Sequence, residues 1–273
     1  MLIKANGKGA VMAGPVLIFD SGVGGLSVAR SLRQYYPDTA MCYACDNAWM
    51  PYGLRDDVTL SARIVSVCQA AVQACQPSVL VVACNTASTL ALDGLRNALT
   101  IPVVGTVPAI KPAAAISQTR HIGLLATRAT VGRPYTQKLI ENFASDCLIT
   151  RVAADALVLE AEGLLGGGQP DRQRLQQALA PLWQTSSTQP SVDTVVLGCT
   201  HFPLLKPWLE ALAPTPVNWI DSGDAIARRV GQIAPPLKKG QDGRFFTTAS
   251  ADGLSPGFAQ FGFSVPGRLA LSA

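Results

Sequence analysis

Short apolar runs alternate with longer amphipathic stretches along the chain. Residues 16–19, 79–83, 122–126 and 194–197 are near-continuous apolar segments of strand length, which predicts buried strands. Residues 101–104 and 217–220 are shorter strand candidates beside a proline or a polar turn. Between them, residues 26–35, 58–75 and 172–183 have the spacing of helices. Strand and helix in alternation predict an α/β fold, with largely parallel sheets covered by helices on both faces.

The pattern occurs twice. The first strand of the chain ends at Asp20-Ser21-Gly22, and 64 residues after Asp20 a later strand ends at Cys84-Asn85-Thr86. In the second half the strand at 122–126 ends at Thr127, and 72 residues after Thr127 another ends at Cys199-Thr200-His201. A repeat of this length predicts two similar domains rather than a solenoid. The Pro- and Gly-rich segment 102–112 carries the chain into the second domain, and Pro214-Thr215-Pro216 carries it back. The expected division is residues 1–106 with 217–273 for the first domain and 107–216 for the second. From about Gly243 onward, Gly, Ser and Pro dominate and no element is assigned.

Composition narrows the class. In 273 residues, 48% hydrophobic and 15% charged describes a packed globular protein. The net charge of +4 is too small and too scattered for a nucleic-acid surface, with nothing denser than the Arg228-Arg229 and Lys238-Lys239 pairs. Seven cysteines, an odd number without framework spacing, fit free thiols in a reducing compartment. The start of the chain lacks a sustained apolar segment, and no run of about 18 uninterrupted apolar residues suggests a membrane span. The expected location is the cytoplasm.

In open parallel sheets, ligands bind beyond the carboxyl ends of the strands, and each polar turn above lies at such an end. The glycines of Asp20-Ser21-Gly22-Val23-Gly24-Gly25 could bring backbone amides to an anion, but neither a P-loop nor a G-x-G-x-x-G spacing is present. A free cysteine is usually an inert core residue. Cys84 and Cys199 differ from Cys42, Cys45, Cys68, Cys75 and Cys147 in standing at strand ends within polar turns. His201 lies two residues after Cys199, where it can polarise or deprotonate that thiol. Asp20 is a candidate partner for Cys84, or simply a helix cap. A zinc site at Cys199-x-His201 lacks further ligands of regular spacing.

Two opposed thiols suit inversion at a carbon next to a carboxylate, which needs a base on one face and an acid on the other. A thiol pKa near 8.5 serves either role once neighbours tune it. Ser21, Asn85, Thr86 and Thr200 supply donors for the substrate carboxylates. A nucleophilic-cysteine hydrolase would use Cys199 and His201 but would leave Cys84 without a task.

The segments from Phe19 to Val28, Pro51-Tyr52-Gly53, Ala83 to Thr89, Pro102 to Gly105 with Pro108-Ala109, and Leu197 to Leu205 together resemble the glutamate racemases. Leu124 to Thr127 and Asp221-Ser222-Gly223 fit the same pattern, so the resemblance runs from about Val16 to Val230. It implies two α/β domains around a pseudo-twofold cleft, with neither pyridoxal phosphate nor metal. It also implies Cys84 and Cys199 as the acid–base pair, Asp20 assisting Cys84 and His201 assisting Cys199. Asp20, Ser21, Tyr52, Gly53, Asn85, Thr86, Thr127, Thr200 and His201 would hold glutamate. An acidic residue near Cys199 is expected at Glu162, with Glu160 as the alternative.

Ala129 stands where the family usually has glycine, and Gly166-Gly167-Gly168 fits no family pattern. The implied role is D-glutamate supply for peptidoglycan, with a homodimer and control by a cell-wall precursor compatible with the family. An aspartate racemase or decarboxylase of the same fold, and a non-catalytic amino-acid-binding protein, are the competing readings.

Overall fold

A computed structural model describes residues 13–184, 189–240 and 243–271. The polar N-terminal stretch read from the sequence therefore lies outside the described residues up to position 12. The strands are β1 (Val16–Asp20), β2 (Met41–Cys45), β3 (Val79–Val82), β4 (Val103–Gly105), β5 (His121–Ala126), β6 (Leu148–Ala153), β7 (Thr194–Leu197), β8 (Asn218–Ile220), β9 (Gly243–Thr247) and β10 (Phe263–Arg268). They form two sheets, in the orders β10-β9-β2-β1-β3-β4 and β6-β5-β7-β8, and the pairings within each are parallel.

The order β2-β1-β3-β4 is repeated as β6-β5-β7-β8, so the two-fold pattern of the sequence is also a pattern of strand connections. β1 is covered on both faces. Val16 and Ile18 join one apolar cluster with Tyr43, Val79 and Val81, while Leu17 and Phe19 join another with Ala44, Leu80 and Val82. Continuous burial removes the polar alternation of a one-sided strand, which is why β1, β3, β5 and β7 read so clearly.

The helix Asp57–Cys75 is long and apolar enough for a bilayer by composition. In the fold its Leu60, Ile64, Val67, Cys68 and Ala71 are buried in the cluster on one face of the first sheet. Asp56 caps its start by accepting from the Thr59 amide at 3.0 Å.

Several elements depart from expectation. The strand expected at 101–104 is shifted to Val103–Gly105. β8 pairs with β7 through Thr194↔Asn218, Val195↔Trp219 and Val196↔Ile220. β8 thus extends the second sheet past the expected boundary at residue 217, and the helix Gly223–Ile233 that follows packs on the helix Gly25–Tyr35. The unassigned tail supplies β9 and β10, which lengthen the first sheet beside β2 and, among the described residues, have no counterpart in the second. Phe245, Phe258 and Phe263 fix it there, with Phe245 and Phe258 stacked at 4.2 Å and both Phe258 and Phe263 edge-on to Tyr43.

Candidate active site

Each sheet delivers two chemical turns to the same cleft. Asp20 ends β1 and Cys84 follows β3 directly before the helix Asn85–Ala98. Thr127 follows β5, and Cys199-Thr200-His201 follows β7. Ser21, Tyr52, Gly53, Cys84, Asn85, Thr86, Thr127, Cys199, Thr200 and His201 line one narrow cavity between the sheets, with Pro51, Thr130 and Val158. Asp20 and Glu162 stand behind that lining and act on it through hydrogen bonds.

On the Cys84 side, the sulfur lies 3.9 Å from Ser21 Oγ. The Ser21 hydroxyl donates to Asp20 Oδ1 at 3.2 Å, and the Gly22 amide donates to the same oxygen at 3.0 Å. Thr200 Oγ1, from the other half, donates to Asp20 Oδ2 at 2.9 Å. Asp20 thus reaches Cys84 through Ser21 while its other oxygen receives a donor from the opposite half. Burial raises the Asp20 carboxyl above its usual range, although His201, Gly22 and Thr200 oppose the shift. Burial, and then the negative charge of Asp20, push the Cys84 thiol up, which favours its protonated form.

On the Cys199 side, the sulfur lies 3.7 Å from His201 Nδ1. His201 Nε2 faces Glu162 Oε1 at 2.7 Å, and that same oxygen accepts from the Val23 amide at 2.8 Å. Burial works against a charged imidazole, yet the contacts with Cys199 and Glu162 prevail and hold His201 well above its ordinary value. Glu160 lies elsewhere, accepting from Arg174 at 2.9 Å and from the Asp171 amide at 2.7 Å. Two residues along a helix is a turn of about 200°, so only one of the two glutamates can face the cleft.

The glycine-rich turn makes room for the other half of the protein. A Cβ at Gly22 would lie 2.0 Å from Glu162 Oε1, and one at Gly24 would lie 2.4 Å from His201 Nδ1. The turn does present a backbone amide to an anion, but that anion is the protein's own Glu162. Gly166 caps the helix Ala156–Leu165, and Gly167 takes φ +91, so the glycine run works as a helix stop.

Tyr52 forms part of the wall and donates to Asp46 Oδ2 at 2.9 Å. Asp46 is fully buried, paired with Arg63 at 2.7 Å, and accepts from Thr248 Oγ1 at 2.5 Å. It stands just past the end of β2, so a strand assigned at 41–45 would have exposed it as another strand-end polar residue. Thr127 accepts from the Thr130 amide at 3.4 Å, so it caps the helix Arg128–Val131 as well as lining the cleft. Thr130 and Val158 were not expected at the site. Thr130 carried a signal in its capping distance from Thr127, whereas Val158 is an apolar helix residue with none.

Comparison with known proteins agrees with this geometry. The sequence profile of the Asp/Glu/Hydantoin racemase family matches residues 26–230. A glutamate racemase from Shewanella loihica is 45% identical over 256 residues, covering 92% of this chain and 94% of the relative. The crystal structure of Escherichia coli glutamate racemase in complex with L-glutamate and the activator UDP-MurNAc-Ala superposes with a TM-score of 0.90 at 40% identity. That match covers 96% of this chain and 100% of the other. A glutamate racemase isoform from Bacillus anthracis gives a TM-score of 0.79 at 28% identity, covering 94% of this chain and 98% of its own. Profile, sequence and backbone agree, and the chain belongs to the glutamate racemases within the Asp/Glu/Hydantoin racemase family.

Proposed function

We propose that the protein interconverts L- and D-glutamate by moving protons on opposite faces of the α-carbon with Cys84 and Cys199. The observation that carries this reading is the placement of the two thiols after equivalent strands, β3 and β7, in one shared cleft. A thiolate on one face takes the α-proton, leaving a planar carbanion conjugated with the carboxylate. The thiol on the other face then gives its proton to that carbon, and the two sulfurs finish with exchanged protonation states. Both transfers come from the protein's own thiols, so the reaction draws on no cofactor.

The auxiliary groups have distinct tasks. Ser21 relays between Cys84 and Asp20, while His201 can accept or return the proton of Cys199 with Glu162 holding its far nitrogen. Thr86 and Thr127 offer hydroxyls to the substrate carboxylates. Asn85 Oδ1 is buried without a hydrogen-bond partner, which suits it to accept from the α-ammonium. The cavity measures about 30 Å³, too little for an amino acid, so substrate entry would separate the two halves. In this reading those halves are two domains, 1–106 with 221–273 and 107–220.

The decisive experiment incubates the purified full-length protein with L-glutamate in deuterium oxide, without pyridoxal phosphate. Loss of optical rotation together with deuterium at the α-carbon is expected. Retention of both rotation and α-proton would defeat the reading, and aspartate in the same assay separates the two specificities. By analogy with the Escherichia coli complex, we infer activation by UDP-MurNAc-Ala; turnover unchanged on its addition would remove that part alone. The product would serve peptidoglycan synthesis, and the enzyme would work in the cytoplasm.

A further inference from the structure

The cysteines outside the cleft fall into three kinds. Cys45 and Cys68 are enclosed in the core, where burial pushes their thiols well up. Cys147 is partly exposed beside Asp146, and burial raises it too. Cys42 and Cys75 line a cavity of about 880 Å³ at the end of the first sheet where its strands begin, opposite the catalytic cleft. Pro77, Ile101, Lys238 and Arg244 share that wall, and among the described residues no acidic side chain does. A cavity of this size lies within the range that encloses small organic ligands.

Arg244 organises the pair. It is in register with Cys42 across β2 and β9, and its Nη2 donates to Cys42 Sγ at 3.5 Å and to the Cys75 carbonyl at 3.4 Å. Its guanidinium lies 5.9 Å from the centre of the Phe246 ring. The neighbouring Cys75 thiol, assisted by Arg244 and opposed by burial, holds Cys42 below the ordinary thiol range. Cys42 beside it and burial together hold the Cys75 thiol above that range. Both cysteines are buried at the cavity wall, and Arg244 reaches Cys42 Sγ and the Cys75 carbonyl together, so two cysteines and two cations meet at one cavity as at exchange-active thiol pairs.

We propose that this cavity is a thiol–disulfide exchange site, in which Cys42 attacks a small anionic disulfide drawn in by Lys238 and Arg244 and Cys75 resolves the product. In the first step the Cys42 sulfur bonds to one sulfur of the disulfide RS–SR, whose S–S bond breaks and releases a thiolate. That thiolate takes the proton of Cys75. The Cys75 sulfur then attacks Cys42 Sγ, forming the Cys42–Cys75 disulfide and expelling the second RS group, which leaves as RSH after protonation by solvent. Two protein thiols are oxidised and one disulfide is reduced to two thiols.

Oxidised glutathione is a suitable probe, applied to the full-length protein under native conditions and followed by acid quenching, alkylation and peptide mass mapping. The expected result is a Cys42–Cys75 disulfide in the wild type and a glutathione adduct on Cys42 in Cys75→Ser. Arg244→Gln should slow the modification several-fold, and a neutral disulfide such as hydroxyethyl disulfide should react more slowly than the anionic one. The wild-type mapping needs no variant to fold. If Cys42 stays unmodified there while Cys84, Cys147 or Cys199 takes up glutathione, the proposal fails. Equal rates for the neutral and anionic probes would overturn the assigned role of the two cations. Cys75→Ser should keep the wild-type racemisation rate, since neither Cys42 nor Cys75 touches the cleft.

Discussion

The two halves share strand order and the position of their cysteines, yet the two thiols have opposite company. Cys84 looks through a serine to a buried carboxylate, and both burial and that negative charge favour the sulfur holding its proton. Cys199 looks at an imidazole whose far nitrogen rests on Glu162, and those two contacts hold His201 well above its ordinary value against burial. Duplication of backbone therefore does not duplicate electrostatics. In the proposed reaction that difference would let one sulfur begin as acid while the other has a proton acceptor beside it. Each half also completes the other: Thr200 donates to Asp20, and Val23 donates to Glu162.

The largest expected effect comes from erasing either member of the pair. Cys84→Ala and Cys199→Ala should each lower racemisation by about 10³-fold or more while circular dichroism stays unchanged. A variant of either kind with near-normal two-way turnover would break the pairing of the halves. The next effect tests their difference. Because the two enantiomers are equally stable, kcat/KM must stay equal in both directions, so asymmetry has to appear elsewhere. His201→Asn should slow α-proton exchange from one enantiomer by about 10²-fold and Asp20→Asn from the other. Rates of deuterium uptake into separate L- and D-glutamate samples measure this, and equal losses from both enantiomers would count against distinct roles.

A third test addresses the close approach of the halves. Gly24→Ala places a methyl against His201 and should destabilise the protein by about 1–3 kcal/mol in urea unfolding, with loss of turnover. Gly53→Ala, whose new Cβ would meet nothing closer than Ala129 at 3.6 Å, should be mild by comparison. The smallest effect is on pH dependence. The folded pKa of His201 is raised, so the native state binds more protons there than the unfolded chain as pH passes above about 6.5. The stability His201 contributes relative to His201→Asn should be complete below that pH and fall as pH rises through the folded value. Unfolding curves of both proteins at several pH values check the sign.

How much was legible follows from burial. β1, β3, β5 and β7 are covered on both faces and announce themselves as apolar runs. β2 is equally buried, but Met41-Cys42-Tyr43-Ala44-Cys45 contains neither valine nor isoleucine, and its pattern has no strand signature. β6 is an edge strand with Leu148 and Arg151 exposed, and β9 and β10 contain Gly, Arg and Pro. Strand-end position pointed to Asp20, Cys84, Thr127 and Cys199, of which the last three line the cavity between the sheets. The choice between Glu160 and Glu162 waited for the helix orientation, and Asp46 was hidden with β2. The spacing of the glycines suggested an external anion, since nothing local reveals that Glu162, 139 residues away, occupies the place.

The β2–β9 pairing has a consequence for synthesis of the protein. Cys42 lies beside Arg244, more than two hundred residues along the chain, so the first sheet needs its own beginning and the last segment translated. The strands of the second sheet all lie between residues 121 and 220 and can close before that segment leaves the ribosome. Long-range pairings of this kind form slowly and leave an open strand edge in the meantime. On the nascent chain, the sheet that is started first is the one finished last, and β2 waits with its outer edge unpaired until β9 arrives.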